Sequence, residues 1–185
     1  MLDDDELQVL QTELAYDPAV GQCLWGFVLP GVPVAKARPR MTRSGHTFTP
    51  ARTVNAEQEL CFRLNAAGVL RSGPETGTVA LALRFYLPGH GGGDLDNYVK
   101  LILDGFNRAG VWADDAQVTS LRAELRVDAE NPRTLIVLAE HSSGVLRGPV
   151  GEKTCEGCSA TFPARPSSKQ RFCSRSCAGA ARRAA

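Results

Sequence analysis

No stretch of this 185-residue chain approaches the ~18 consecutive apolar residues that a membrane-spanning helix needs. The chain opens on Asp3, Asp4, Asp5 and Glu6, where a secretory signal wants a basic start followed by an apolar run. A cytoplasmic protein is expected. Bases are missing altogether from residues 1–22, which carry six acids. Internal repeats and low-complexity tracts are missing too, which leaves one domain and a small appendage for a chain of this length. With 43% apolar and 22% charged residues, wholesale disorder is excluded as well.

The net charge of +1 hides an uneven distribution: residues 151–185 hold seven bases against two acids. Five bases and no acid fall between Lys36 and Arg52, in a Pro-containing stretch that also includes Arg38, Arg40 and Arg43. Such blocks suit a polyanion partner, or serve as solvated surface.

Periodicity outlines the body. Leu7, Leu10 and Leu14 recur at helical spacing behind an acidic first turn, predicting a short helix or a loosely attached arm over residues 1–22. Residues 24–29 read as a strand and 54–67 as a helix with Ala56, Leu60 and Leu64 on one face. Strands follow at 79–87, 121–127 and 134–139, and the second of these alternates Leu121, Ala123, Leu125 and Val127 with charged residues, which implies one wet face. Asn131-Pro132 predicts a turn that would join the last two strands as an antiparallel hairpin. A helix over 96–109 carries Val99, Leu103 and Phe106 inward. The expected fold class is α+β, a small mixed or antiparallel sheet with helices. Its body spans 23–140, a patternless Gly/Ser-rich linker 141–153, and a small cysteine-bearing module 154–185. Cys23 and Cys61 stand alone and read as small core hydrophobes.

The chemistry-bearing stretch is Gly91-Gly92-Gly93-Asp94-Leu95-Asp96-Asn97-Tyr98-Val99-Lys100. Asp94 and Asp96 share a side if the backbone there is extended, Asp96 can cap the following helix, and Lys100 and Asp104 follow at one-turn intervals. Asp114-Asp115 precedes the next strand, and a crossover helix would return that pair to the start of the segment. Carboxylates converging on one point need a cation, and hard oxygen donors suit Mg2+ or Mn2+, which activate water and offset charge at phosphorus. On spacing alone the same residues also fit a helix cap, a loop and an Asp-rich turn.

Asp94-Leu95-Asp96-Asn97-x2-Lys100-x3-Asp104-Gly105-x4-Gly110-Val111-Trp112-x-Asp114-Asp115-Ala116-Gln117-Val118 resembles the core motif of RusA-type Holliday-junction resolvases. Upstream, Gly31-x-Pro33-x-Ala35-Lys36-x-Arg38-Pro39-Arg40 and Thr47-Phe48-Thr49-Pro50 resemble the basic segment of phage members, and the similarity spans about residues 24–140. These are small, dimeric, metal-dependent endodeoxyribonucleases, often phage-encoded. The resemblance implies metal-binding catalytic carboxylates at Asp94, Asp96 and Asp115, a catalytic lysine at Lys100, a contribution from Asp114, and supporting roles for Asn97 and Asp104. It also implies a homodimer that nicks branched DNA symmetrically, with Lys36, Arg38, Arg40, Arg43 and Arg52 holding phosphates. The Gly-rich lead-in departs from members that carry bases there. Two other readings are a DNA-binding protein without catalysis and a nuclease for forks or flaps.

Cys155-x2-Cys158 and Cys173-x3-Cys177 have the two-knuckle spacing of a structural zinc site, with disulfides or a redox pair as the alternative. Phe162 and Phe172 are the expected apolar partners. Arg165, Lys169, Arg171, Arg175, Arg182 and Arg183 surround the motif, so Arg171 and Arg175 join the candidate DNA contacts, unless the module serves dimerisation.

Overall fold

The computed structural model describes residues 2–90, 92–142, 151–164, 170–173 and 177. Contacts divide the chain into two units, Met1–Gly144 and Val145–Ala185. The first contains, in order, α1 (Leu2–Leu14), β1 (Val20–Pro30), β2 (Arg40–Met41), β3 (Thr47–Phe48), α2 (Ala51–Ala66), β4 (Val79–Leu87), α3 (Leu95–Ala109), β5 (Val118–Val127) and β6 (Arg133–His141). This is an α+β fold. Among the described residues, no helix is long and apolar enough to cross a membrane.

The main sheet has the order β1-β6-β4-β5. Strand β4 is buried along its whole length, as is most of β6, so these two take the centre, where both faces are covered. Strands β1 and β4 flank β6 antiparallel to it, while β5 runs parallel to β4 after the α3 crossover. The expected β5–β6 hairpin is therefore not formed. Although consecutive in the chain, the two strands are separated by β4, whose side chains are buried along its length, while the half-exposed, half-charged β5 takes the edge.

Side chains alternate across the sheet, so β4 serves two cores. Leu81, Leu83 and Phe85 pack with Ile136, Leu138, α2 residues Leu60 and Leu64, and α3 residues Tyr98, Leu101, Ile102 and Phe106. On the other face Ala80, Ala82 and Tyr86 pack with Leu135, Val137 and the fully buried Leu10 and Leu14 of α1. Helix α1 is thus docked, and its acids explain how. Buried Arg133 meets Asp3 at 2.7 Å, Asp128 at 2.6 Å, and Glu6. Buried Arg84 meets Glu13 at 3.0 Å, and Glu124. The acids of α1 therefore complete the pairing of two buried arginines that Asp128 and Glu124 satisfy only in part.

These pairs add to the expectation for β5. Its charged face lies on the α1 side and stays wet, with Arg122 half-exposed and also on Glu13 at 3.0 Å. The opposite face is open too, at Leu121, Leu125 and Val127, which are 47%, 39% and 49% exposed. Cys23 and Cys61 are half-buried free thiols, raised above their ordinary pKa chiefly by burial.

In the second unit, β7 (Gly151–Thr154) pairs antiparallel with β8 (Thr161–Ala164). Cys155, Phe162 and Ala164 are buried against Phe172, Cys173 and Cys177. His141 ends β6 and residues 151–153 belong to β7, while 143–150 lie outside the described residues.

Candidate active site and cysteine centre

Helix α3 organises the acidic motif. Its buried stripe, Tyr98, Leu101, Ile102, Gly105 and Phe106, anchors it to the core, and Gly110 ends it in the left-handed conformation at φ 77°. The helix begins one residue earlier than expected. Asp94, with extended backbone, is the residue preceding its first turn, and Asp96 lies within that turn. Asp94 and Asp96 therefore do not share a side by strand alternation. The lead-in is glycine for a steric reason: a Cβ on Gly93 would lie 2.3 Å from that of Ala35. Gly91 lies outside the described residues.

Positions 96, 100 and 104 run down one flank at one-turn intervals. Lys100 Nζ reaches Asp104 Oδ1 at 3.0 Å and, across the crossover, Asp115 Oδ2 at 3.1 Å. The parallel β4-α3-β5 arrangement brings residues 100 and 115 together. The hydrogen bond that Lys100 donates to Asp104, aided by that to Asp115, holds its ammonium above the ordinary pKa. Asp94 and Asp96 are exposed, and their carboxylates have no partner among the described residues. Asp114 is committed to local structure. Its carboxylate accepts from Ala116 N at 2.8 Å, while buried Gln117 accepts from the backbone of Ala113 and Asp114 and donates to Glu75 and Gly77. Asp94, Asp96 and Asp115 are not gathered as tightly as the four cysteines, which are the group of potential metal ligands within 4.8 Å of one another among the described residues. Beside Asp96 and Lys100 an open apolar groove is lined by Leu95, Val99, Leu103, Leu121 and Ala123.

The basic segment splits in two. Arg38, Arg40, Arg43 and Arg52 are exposed and have no side-chain partner among the described residues, and Arg40 and Arg43 ride on the β2–β3 hairpin. Lys36, expected to hold phosphate, instead points inward to Glu57 Oε1 at 2.7 Å and Asp104 Oδ2 at 2.5 Å. Glu57 is a participant that sequence reasoning missed. It is 3% exposed and also receives Arg108 at 2.9 Å. The signal was present: Glu57 precedes Leu60 and Leu64 at helical spacing, a charge on an apolar face. Of the module's bases, Arg171 pairs with Glu156 at 2.8 Å, and Arg175, like Arg165, Lys169, Arg182 and Arg183, lies outside the described residues.

The cysteines are all free thiols. Cys173 Sγ lies 3.6 Å from both Cys158 Sγ and Cys177 Sγ. Backbone N–H groups of Cys173 and Gly157 donate to Cys155 Sγ at 3.3 and 3.4 Å. Those bonds, that from Cys173 foremost, pull the Cys155 thiol down to about 6.

An α+β body with a lysine bridging acids across a βαβ crossover, beside a run of unpaired arginines, defines a domain suited to phosphate-ester chemistry on a polyanion. The family model described as Endodeoxyribonuclease RusA matches residues 30–139, and the chain belongs to that family. It is a nuclease, a hydrolase, of a family that acts on branched DNA junctions. No curated protein matches the chain.

Proposed function

We propose that this protein is a divalent-metal-dependent, structure-selective endodeoxyribonuclease that resolves Holliday junctions by paired symmetric nicks. The observation that carries the reading is the Lys100–Asp115 contact across the crossover, beside the exposed and unpartnered Asp94 and Asp96. Exposed hard oxygen donors such as these fit Mg2+ or Mn2+, and Asp94, Asp96 and Asp115 would hold the ion, with Asp114 at its margin. Bound there, it supplies an activated water and charge neutralisation at phosphorus. The chain's own groups do the rest. Lys100 offsets charge on the phosphoryl oxygens, Asp104 keeps its ammonium in place, and Arg38, Arg40, Arg43 and Arg52 hold backbone phosphates without reading bases.

Symmetric nicking asks for a two-fold dimer, and the exposed Leu121, Leu125 and Val127 of edge strand β5 offer an apolar surface for a second copy. The body read from sequence at 23–140 takes in α1 as well, and the zinc module read at 154–185 begins with β7; the contact division at Gly144 falls inside the 141–153 segment read as a linker. Four sulfurs at ~2.3 Å from one ion in a tetrahedron lie about 3.8 Å apart, close to the 3.6 Å separations at Cys173, so Cys155, Cys158, Cys173 and Cys177 form a closed structural Zn2+ site. The setting is the cytoplasm of a bacterium, from a bacterial or phage gene.

The test is cleavage of a labelled four-way junction against a linear duplex of the same sequence, with Mg2+ or EDTA, for wild type and Asp96→Asn. Paired, metal-dependent nicks on the junction that vanish in the variant are expected. Tight binding without cleavage in Mg2+ or Mn2+ would make this a DNA-binding protein. Equal cutting of the duplex would remove junction selectivity.

A further inference from the structure

Lys36 stands among five bases in sequence, yet it is the one whose charge is used inside the fold. Its four neighbours in that run are exposed arginines without side-chain partners among the described residues. Its own Nζ sits between Glu57 and Asp104, and the second Asp104 oxygen holds Lys100. The result is a continuous chain, Arg108–Glu57–Lys36–Asp104–Lys100–Asp115, in which acids and bases alternate. Burial disfavours the Lys36 ammonium, but the hydrogen bonds it donates to Asp104 and Glu57 outweigh it. The backbone is pinned as well. Lys36 N donates to Asn97 O at 2.9 Å in the first turn of α3, and Ala37 N donates to the buried Thr53 hydroxyl at 3.1 Å.

We infer that Lys36 is a positioning residue for Lys100, acting through Asp104, and not a DNA ligand. The inference rests on the reading of Lys100 as a group that faces the scissile phosphate. Asp104 has two carboxylate oxygens and two ammonium partners. With Lys36 on Oδ2, the carboxylate plane is fixed and Oδ1 is aimed at Lys100. Lys36 also offsets part of the Asp104 charge, so Lys100 is not wholly neutralised by its own helix and keeps a positive charge to present to phosphate. Without Lys36, Asp104 is free to turn, and Lys100 follows it.

The experiment separates rate from binding. Single-turnover junction cleavage at saturating enzyme and the salt dependence of junction affinity in EDTA are measured for wild type, Lys36→Met, Lys36→Arg, Arg38→Ala, Asp104→Asn and Lys100→Met. Each neutralised phosphate contact contributes about −0.9 to the slope of log affinity against log salt. Lys36→Met is expected to slow cleavage roughly 10- to 100-fold, the range for a displaced catalytic group, with affinity and slope unchanged. Arg38→Ala is expected to weaken junction affinity and to lower the slope by about one unit. Lys36→Arg restores part of the rate, and the Lys36→Met/Asp104→Asn double variant is no slower than the worse single variant. A slope lowered by about one in Lys36→Met with an unchanged saturating rate overturns the inference and makes Lys36 a phosphate ligand. If Lys36→Met misfolds by circular dichroism, Lys36→Arg and Asp104→Asn decide: an unchanged rate in Asp104→Asn overturns it. Normal cleavage by Lys100→Met would sink the underlying reading, whereas a dead Lys100→Met beside a normal Lys36→Met sinks this inference alone.

Discussion

Truncating Leu10 to alanine probes whether the N-terminal helix belongs to the nuclease body. Leu10 is fully buried, against the sheet face built by Ala80, Ala82, Leu135 and Val137. Those neighbours are mostly small or held in strands, so the site has little freedom to collapse into the space left behind. Loss of the buried methyl groups plus a residual cavity costs about 3 kcal/mol, within the 2–5 observed for such changes. For a unit of this size that lowers Tm by roughly 6–12 °C. Val9, one residue away and 50% exposed, is the control: Val9→Ala removes little buried surface and gains helix propensity, so its effect stays within about 0.5 kcal/mol. Both tryptophans, Trp25 and Trp112, pack in the first unit's core, so tryptophan fluorescence during thermal or urea unfolding follows that unit. If Leu10→Ala and Val9→Ala melt together, α1 is a loosely tethered arm and the burial argument fails.

Two other expectations follow from the charges and the thiols. Purified protein should carry one zinc per chain by elemental analysis, and Cys158→Ser should lose it; stripping zinc with a strong chelator should unfold the second unit while tryptophan fluorescence stays native, because the metal supplies much of the folding energy of so small a unit. On acidification, Asp17, Asp104, Glu124 and Asp128 all titrate below their ordinary values. Burial opposes this at Asp104 and Glu124 but is outweighed by Lys36 with Lys100, and by Arg84 with Arg126, while the Ala19 N–H lowers Asp17 and Arg133 lowers Asp128. The unfolded chain binds protons first, so their contribution is complete above the ordinary carboxylate values of 3.8 and 4.5 and is lost as pH falls through the folded ones. Lys36 and Lys100 titrate above 10.5 in the fold, so they add no slope between pH 5 and 9. Urea midpoints of the first unit, followed by tryptophan fluorescence, should be flat from pH 5 to 8 and fall below about 4.5, and a fall between 5 and 8 would contradict the assignment.

Local patterns carried a good part of this protein in plain sight. The apolar stripe of α3 and the glycine that ends it, the alternating apolar pattern of β4, and each of the two cysteine pairs depend on residues close to one another in the chain. Elements of that kind are legible because periodicity and steric rules act over a few residues. The motif from Asp94 to Val118 is legible for the same reason, since one crossover spans it and returns Asp115 to Lys100.

What could not be read is what distant segments do to one another. The β5–β6 turn signal is real, but which strand pairs with β6 depends on competition with β4, some fifty residues upstream. The charged face of β5 is wet, as its alternation says, but its pairing with Arg84 and Glu13, far away in the chain, was not legible, nor was the exposure of Leu121, Leu125 and Val127 on the opposite face. Lys36 looks like its arginine neighbours because composition records a charge and not its direction. Its partners Glu57 and Asp104 come from two helices, α2 and α3, and only their packing together turned a surface cation into part of an internal chain of ion pairs. Backbone periodicity is a property of neighbours in sequence, and strand pairing and charge pairing are properties of neighbours in space.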